Sequence, residues 1–153
     1  MPNNISWAVA ALAFIASAGG VNAQDIGKKV ISTPAAPSAI GPYSQAIRVG
    51  KALYVSGEIA IDAKTNRVMS DATIEEQTRQ VLDNIMAILA ADGLTMDHLV
   101  STTVYVTDIG EFDRMNKVYA TYFKAAPPAR ATVQVAHLPR DMKIEISAIA
   151  VAP

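Results

Sequence analysis

The sequence predicts an α+β domain, a mixed sheet with two helices on one face. Three observations predict it. β-like runs open the body of the chain and close it, each pair joined by a tight turn, which demands antiparallel neighbours at both ends. Two stretches with apolar residues at helical spacing lie between them, separated by one alternating strand. Two helices can cover only one face of such a sheet.

Lys28 to Ser32 is a short β-like run. It stops at a loop, Thr33 to Pro37, whose two prolines exclude a central strand. Ile40-Gly41-Pro42-Tyr43-Ser44 is a tight turn. Gln45–Val49 and Ala52–Ser56 flank Gly50-Lys51, which puts glycine at the first central position of a two-residue hairpin. Ile59 to Asp71 mixes turn formers with polar groups and reads as an exposed loop. Thr73 and Glu76 have the spacing of a capping box and open a helix. Its stripe is Ile74, Val81, Leu82, Ile85, Ile88 and Leu89, and Gly93 ends it.

Val100 to Thr107 alternates β-branched residues in a strand pattern. Asp108 and Glu111 repeat the capping-box spacing and open a second helix. It should bury Phe112, Met115, Val118, Tyr119, Tyr122 and Phe123 before Pro127-Pro128 stops it. Ala131–Leu138 and Met142–Val151, joined by Pro139-Arg140-Asp141, read as a closing hairpin. Their strands are apolar at nearly every position, so the sheet face without helices needs a partner. A homo-oligomer is expected on that ground alone.

The 153 residues carry 13 Lys+Arg, 14 Asp+Glu and a formal net charge of −1. That balance argues against a protein holding polyanions by bulk electrostatics. The absence of cysteine removes disulfides, zinc–thiolate sites and a thiol nucleophile together. Charge is absent from the first 23 residues, where an apolar, Ala-rich stretch runs from Ile5 to Ala18 and ends Val21-Asn22-Ala23. This pattern reads as a signal peptide over residues 1–23, cleaved after Ala23, with residues 24–153 as one domain. A periplasmic or secreted protein is expected, without stable membrane association after cleavage. A retained anchor and a misassigned start are the alternatives, and a cytoplasmic location follows if the leader is not functional. Met1-Pro2-Asn3-Asn4 lacks the usual Lys or Arg.

Few residues can carry chemistry. His98 and His137 lie in different elements, and only Asp97 stands beside either, so surface or turn roles are expected. There is no nucleophile elbow and no phosphate loop. Arg130 follows Pro127-Pro128-Ala129 and precedes an apolar strand, which holds its backbone rigidly; its fork suits a carboxylate. Glu145 sits mid-strand between Ile144 and Ile146, where a carboxylate is costly unless paired. It is either half of an ion pair, with Arg140 or Lys143, or a site acid.

Four strings occur in order: Ala39-Ile40-Gly41-Pro42-Tyr43-Ser44-Gln45-Ala46, Tyr54-Val55-Ser56-Gly57-Glu58-Ile59, Pro128-Ala129-Arg130-Ala131-Thr132-Val133, and Leu138 to Ile146. Together they resemble the Rid family of reactive-intermediate imine deaminases, also called YjgF or endoribonuclease L-PSP proteins. The resemblance spans about Val30 to Val151. It implies a chorismate-mutase-like fold, a homotrimer with sites between subunits, and hydrolysis of 2-imino acids to 2-keto acids and ammonia without cofactor or metal. It also implies the roles of individual residues. Arg130 would bind the substrate carboxylate, Glu145 and the carbonyl of Thr132 would hold the attacking water, and Tyr43, Ser56, Gly57 and Asn116 would line the cleft. Thr132 stands where the best-known deaminases have cysteine, Ala60 replaces a usual proline, and Ser147 replaces a frequent second acid. A ligand-binding or chaperone-like trimer is the alternative. RNA cleavage, reported for some relatives, is disfavoured by the near-neutral charge, and no nucleic-acid partner is expected.

Overall fold

The structure is a computed structural model and describes residues 27–153. The leader expected over residues 1–23, with its cleavage after Ala23, lies outside the described residues.

The elements run β1 (Lys29–Ile31), β2 (Ala46–Val49), β3 (Ala52–Ile59), α1 (Ile74–Ala91), β4 (Leu99–Val106), α2 (Phe112–Ala120), β5 (Ala129–Gln134) and β6 (Ile144–Val151). All six strands form one mixed sheet in the order β1-β2-β3-β6-β4-β5. Only β4 and β5 are parallel. Both helices pack on one face, as the sequence predicts; α1 lies against β3, β6 and α2.

The expected hairpins divide. The β2–β3 turn forms as read, with Gly50 at φ 56°. The closing hairpin does not form. β6 inserts antiparallel between β3 and β4, while β5 pairs in parallel with the far side of β4. Arg140 and Asp141 both take left-handed φ values, 60° and 57°, and the chain turns away from β5 instead of folding back on it. β5 is also shorter than expected, ending at Gln134 and already including Arg130.

The helix caps follow the sequence at α1. The Thr73 hydroxyl accepts from Glu76 N–H at 3.3 Å, and Glu76 Oε2 accepts from Thr73 N–H at 2.8 Å. At the far end Gly93 has φ 72°, and Leu94 N–H donates to Leu89 O at 2.9 Å, which closes the last turn. At α2 the expected box is incomplete. Asp108 accepts from Gly110 N–H at 2.8 Å and opens a single 3₁₀ turn, and the α-helix begins only at Phe112. Tyr122 and Phe123 lie beyond its end but still pack against the core.

The core is the layer between helices and sheet. Ile74, Val81, Leu82, Ile85, Ile88 and Leu89 are all fully buried there, which is the stripe read from the sequence. The expected exposed loop after β3 holds for residues 64–67, Ser70 and Asp71 but not at its start: Ile59, Ala60 and Ile61 are buried, and Asn84 of α1 donates to the carbonyls of Ile59 and Ile61. The other sheet face is less apolar than the sequence suggests. Tyr54, Val133 and Val151 are exposed there, and Ser101, Thr103 and Ser147 interrupt them.

Removing the α1 cap tests the local account. Thr73→Ala should cost about 1 kcal/mol of stability in denaturant unfolding, with the fold retained.

Candidate functional site

Arg130 stands on β5, an edge strand, opposite Thr102 of β4, and Thr132 stands opposite Val104. Thr102 and Val104 are buried under the helices, so Arg130 and Thr132 share that face. The guanidinium lies over two rings of α2, with its carbon 4.5 Å from the Tyr119 centroid and 5.7 Å from that of Phe112. Tyr119 is itself held, its hydroxyl 2.8 Å from Thr102 Oγ1. Burial pushes the Tyr119 phenol up and keeps it neutral. Among the described residues Arg130 has no ion pair and no side-chain hydrogen bond. It faces a cavity of about 490 Å³ shared with Asn116, Tyr119, Phe123, Pro127 and Pro128. Thr132 Oγ1 is buried without a hydrogen-bond partner.

Glu145 lies on the opposite face. Along β6, Ile144, Ile146, Ala148 and Ala150 are buried toward the helices, so Glu145 and Ser147 point away from them. The β3–β6 register shifts between Val55 and Glu58, a bulge that sets Ser56 and Gly57 beside this face. Gly57 lies directly against the Glu145 carboxylate. A Cβ there would collide with Oε1 and stand 2.8 Å from Cδ, so the position admits only glycine without movement of the acid. Ser56 Oγ donates to Ser44 O at 2.7 Å, fastening the bulge to the turn before β2. In that turn the Tyr43 hydroxyl accepts from Ile40 N–H at 3.2 Å. A second cavity of about 470 Å³ collects Ile40, Tyr43, Ser56, Gly57, Ile59 and Glu145.

Burial raises the Glu145 carboxyl above the ordinary carboxylate range. Among the described residues it has no ion pair, so the alternative of a structural pair with Arg140 or Lys143 is not what the chain builds. Glu58 was not singled out from the sequence. It is 5% exposed with no side-chain hydrogen bond, and its carboxyl is pushed up to about 8, first by burial and then by the Glu145 charge. The clue was available, since an acid directly follows the Ser56-Gly57 break in a strand that is otherwise apolar or neutral. The rings beneath Arg130 left a trace as well: Phe112 and Tyr119 are seven residues apart, on one helix face.

The seven candidate residues therefore form two half-sites. Arg130, Thr132 and Asn116 belong to the helix-bearing side, and Tyr43, Ser56, Gly57 and Glu145 to the other. The two cavities share no residue, and the sheet stands between them. His98 and His137 join neither: His98 Nδ1 accepts from Thr95 N–H, and His137 Nε2 lies 3.2 Å from Asp141 on the surface.

A six-stranded mixed sheet with two helices on one face, carrying Arg130 on one side and Glu145 on the other, is the architecture found in the YjgF/Rid structures. Comparison with known proteins gives the same class. The family model described as endoribonuclease L-PSP matches residues 33–152, and the chain belongs to this family, the Rid/YjgF proteins. A RutC family protein of Saccharolobus solfataricus is 53% identical over 123 residues, which cover 80% of this chain and 97% of that one. The Mus musculus protein named 2-iminobutanoate/2-iminopropanoate deaminase is 45% identical, covering 81% and 91%. The crystal structure of the Escherichia coli YjgF gene product matches with a TM-score of 0.78 at 45% identity, over 82% of this chain and 99% of that chain.

Glu58 makes stability depend on pH in a direction that can be worked out. Its carboxyl titrates near 4.5 when unfolded and near 8 when folded. Between those values the unfolded chain gives up a proton that the folded chain keeps, so stability falls as pH rises from 4.5 to 8 and then levels. Glu58→Gln should remove that slope. Denaturation should show the variant more stable than the parent by about 4 kcal/mol at pH 8, with little difference at pH 4.5.

Proposed function

We propose that the protein is a hydrolytic deaminase of 2-imino acids, acting as a homotrimer whose sites join the two half-sites of neighbouring subunits. The observation that carries this is the separation itself. Among the described residues Arg130 lacks an anion and Glu145 lacks a cation, and each opens into its own cavity. A second copy can bring one against the other. The names of the Mus musculus and Homo sapiens relatives, each 45% identical, support imine deamination as the activity.

In this reading Arg130 binds the substrate carboxylate with two parallel charge-assisted bonds, each worth roughly 1.5–3 kcal/mol. That fixes the C2 iminium carbon beside a water held by Glu145 of the neighbouring subunit and the carbonyl of Thr132. Glu145 takes one proton as the water oxygen bonds to C2. The same proton goes to the amino group of the carbinolamine. As the C–N bond breaks, the carbinolamine hydroxyl passes its own proton to the Glu145 carboxylate, and that proton leaves with ammonia as ammonium while the 2-keto acid is released. Burial raises the Glu145 carboxyl and so makes it a stronger proton acceptor than an ordinary carboxylate. Tyr43 and Asn116 bound the cleft. Ser56 and Gly57 hold the acid in place, and no cofactor or metal is required. We further propose that residues 1–23 export the protein to the periplasm or beyond; N-terminal sequencing of the native protein should begin at Gln24.

Two variants test the split site together. Arg130→Ala should lower kcat/KM for 2-iminobutanoate by about 10²-fold or more, and Arg130→Lys should not restore it. Glu145→Gln should impair turnover less severely. When the two impaired proteins, Arg130→Ala and Glu145→Gln, are unfolded together and reassembled, about one quarter of the interfaces regain both groups. Ammonia release should rise accordingly above that of either protein alone. No gain in the mixture would place both residues in one subunit's site.

A further inference from the structure

Arginine on an edge strand ordinarily swings toward the nearest carboxylate or into solvent, because its long side chain holds no fixed direction. Arg130 does neither. Two of the acids at the helix starts are engaged elsewhere, since Arg114 binds Glu75 through two bonds of 2.7 Å and Glu111 at 3.1 Å, and Asp113 in the first turn of α2 makes no ion pair with Arg130. What remains against the guanidinium is the face of Tyr119 and, farther off, that of Phe112. A ring face attracts a cation without consuming any of its five N–H donors. It therefore fixes the plane of the fork while leaving every donor free.

The Tyr119 ring is fixed in its turn. It is 4% exposed, its hydroxyl meets Thr102 Oγ1, and Phe123 packs 4.9 Å away, centroid to centroid. Thr102 is also the residue paired with Arg130 across the β4–β5 ladder. The arginine backbone and the ring that carries its head group are thus tied to one residue. We propose that Tyr119, supported by Phe112, is the positioning residue for Arg130, orienting its fork toward a ligand carboxylate. This rests on Arg130 being the carboxylate anchor.

The test uses the full protein and two readouts: equilibrium binding of 2-oxobutanoate by calorimetry, and KM against kcat for 2-iminobutanoate. Tyr119→Leu should weaken 2-oxobutanoate binding and raise KM by about tenfold while kcat changes less than about twofold, since the reacting water is held by other groups. Tyr119→Phe keeps the ring and should stay within about threefold of the parent in both constants. A folded Tyr119→Leu protein with unchanged binding and KM overturns the proposal. If Tyr119→Leu does not fold, Phe112→Leu serves instead, with a rise of threefold or more expected and no rise overturning it. Arg130→Ala distinguishes the two levels. Lost binding in Arg130→Ala with intact binding in Tyr119→Leu removes only the platform. Intact binding in Arg130→Ala removes the anchor and the platform with it.

Discussion

Strand β6 takes the place between β3 and β4, and its two-residue alternation decides where everything else can go. Ile144, Ile146, Ala148 and Ala150 seal the helix side with almost no exposure. A one-residue slip would turn all four outward and bring Glu145 into the core, which the burial energy of the isoleucines alone forbids. The register thus fixes Glu145 on the open face. The bulge at Ser56-Gly57 then lets β3 pass the carboxylate, because only a residue without Cβ clears it.

The same alternation leaves charge out of balance on both faces. Among the described residues Arg130 stacks on rings with no acid of its own, and Glu145 and Glu58 are acids with no base. A fold optimised for the isolated protomer would pair or remove such groups, since buried unpaired acids are destabilising. Their persistence makes sense if the relevant unit is larger than one chain. Opposite charges presented from opposite faces meet when copies pack head to tail around a closed ring, and every interface is then equivalent. The Arg48–Asp92 pair shows the contrasting case: with bonds of 2.7 Å to Asp92 and 2.8 Å to Lys51 O, it ties the β2–β3 hairpin to the end of α1 and is complete within the protomer.

Much of this was legible in the sequence, and the failures have physical causes. The caps and stripe of α1, the Gly50 turn and the singling out of Arg130 and Glu145 follow from short-range chemistry, whereas Tyr43, Ser56, Gly57, Asn116 and Thr132 were candidates only through the family resemblance. The closing hairpin failed because Pro139-Arg140-Asp141 offers turn residues to two adjacent strand-like runs, while the winning partner of β6 is β3, some ninety residues earlier. Local patterning carries no term for such a pairing. The burial of Ile59 to Ile61 was missed for a related reason: Asn84, on a helix far along the chain, satisfies their carbonyls. Glu58 escaped notice because a bulge breaks strict alternation, and an acid after such a break looks as though it could face solvent. The division of the site between two faces was invisible until β5 and β6 were known not to be neighbours.

The central place of β6 also orders the events of biosynthesis. β6 comes after every other strand in the chain, yet it holds β3 and β4 together, and those two share no ladder of their own. During translation the first strands and α1 emerge with a vacant slot in the middle of the sheet. Its long-range pairings cannot form until β6 has left the ribosome, so the nascent chain stays open for nearly the whole of synthesis. The joining of β3 and β4 in one sheet therefore waits for the last strand to be made.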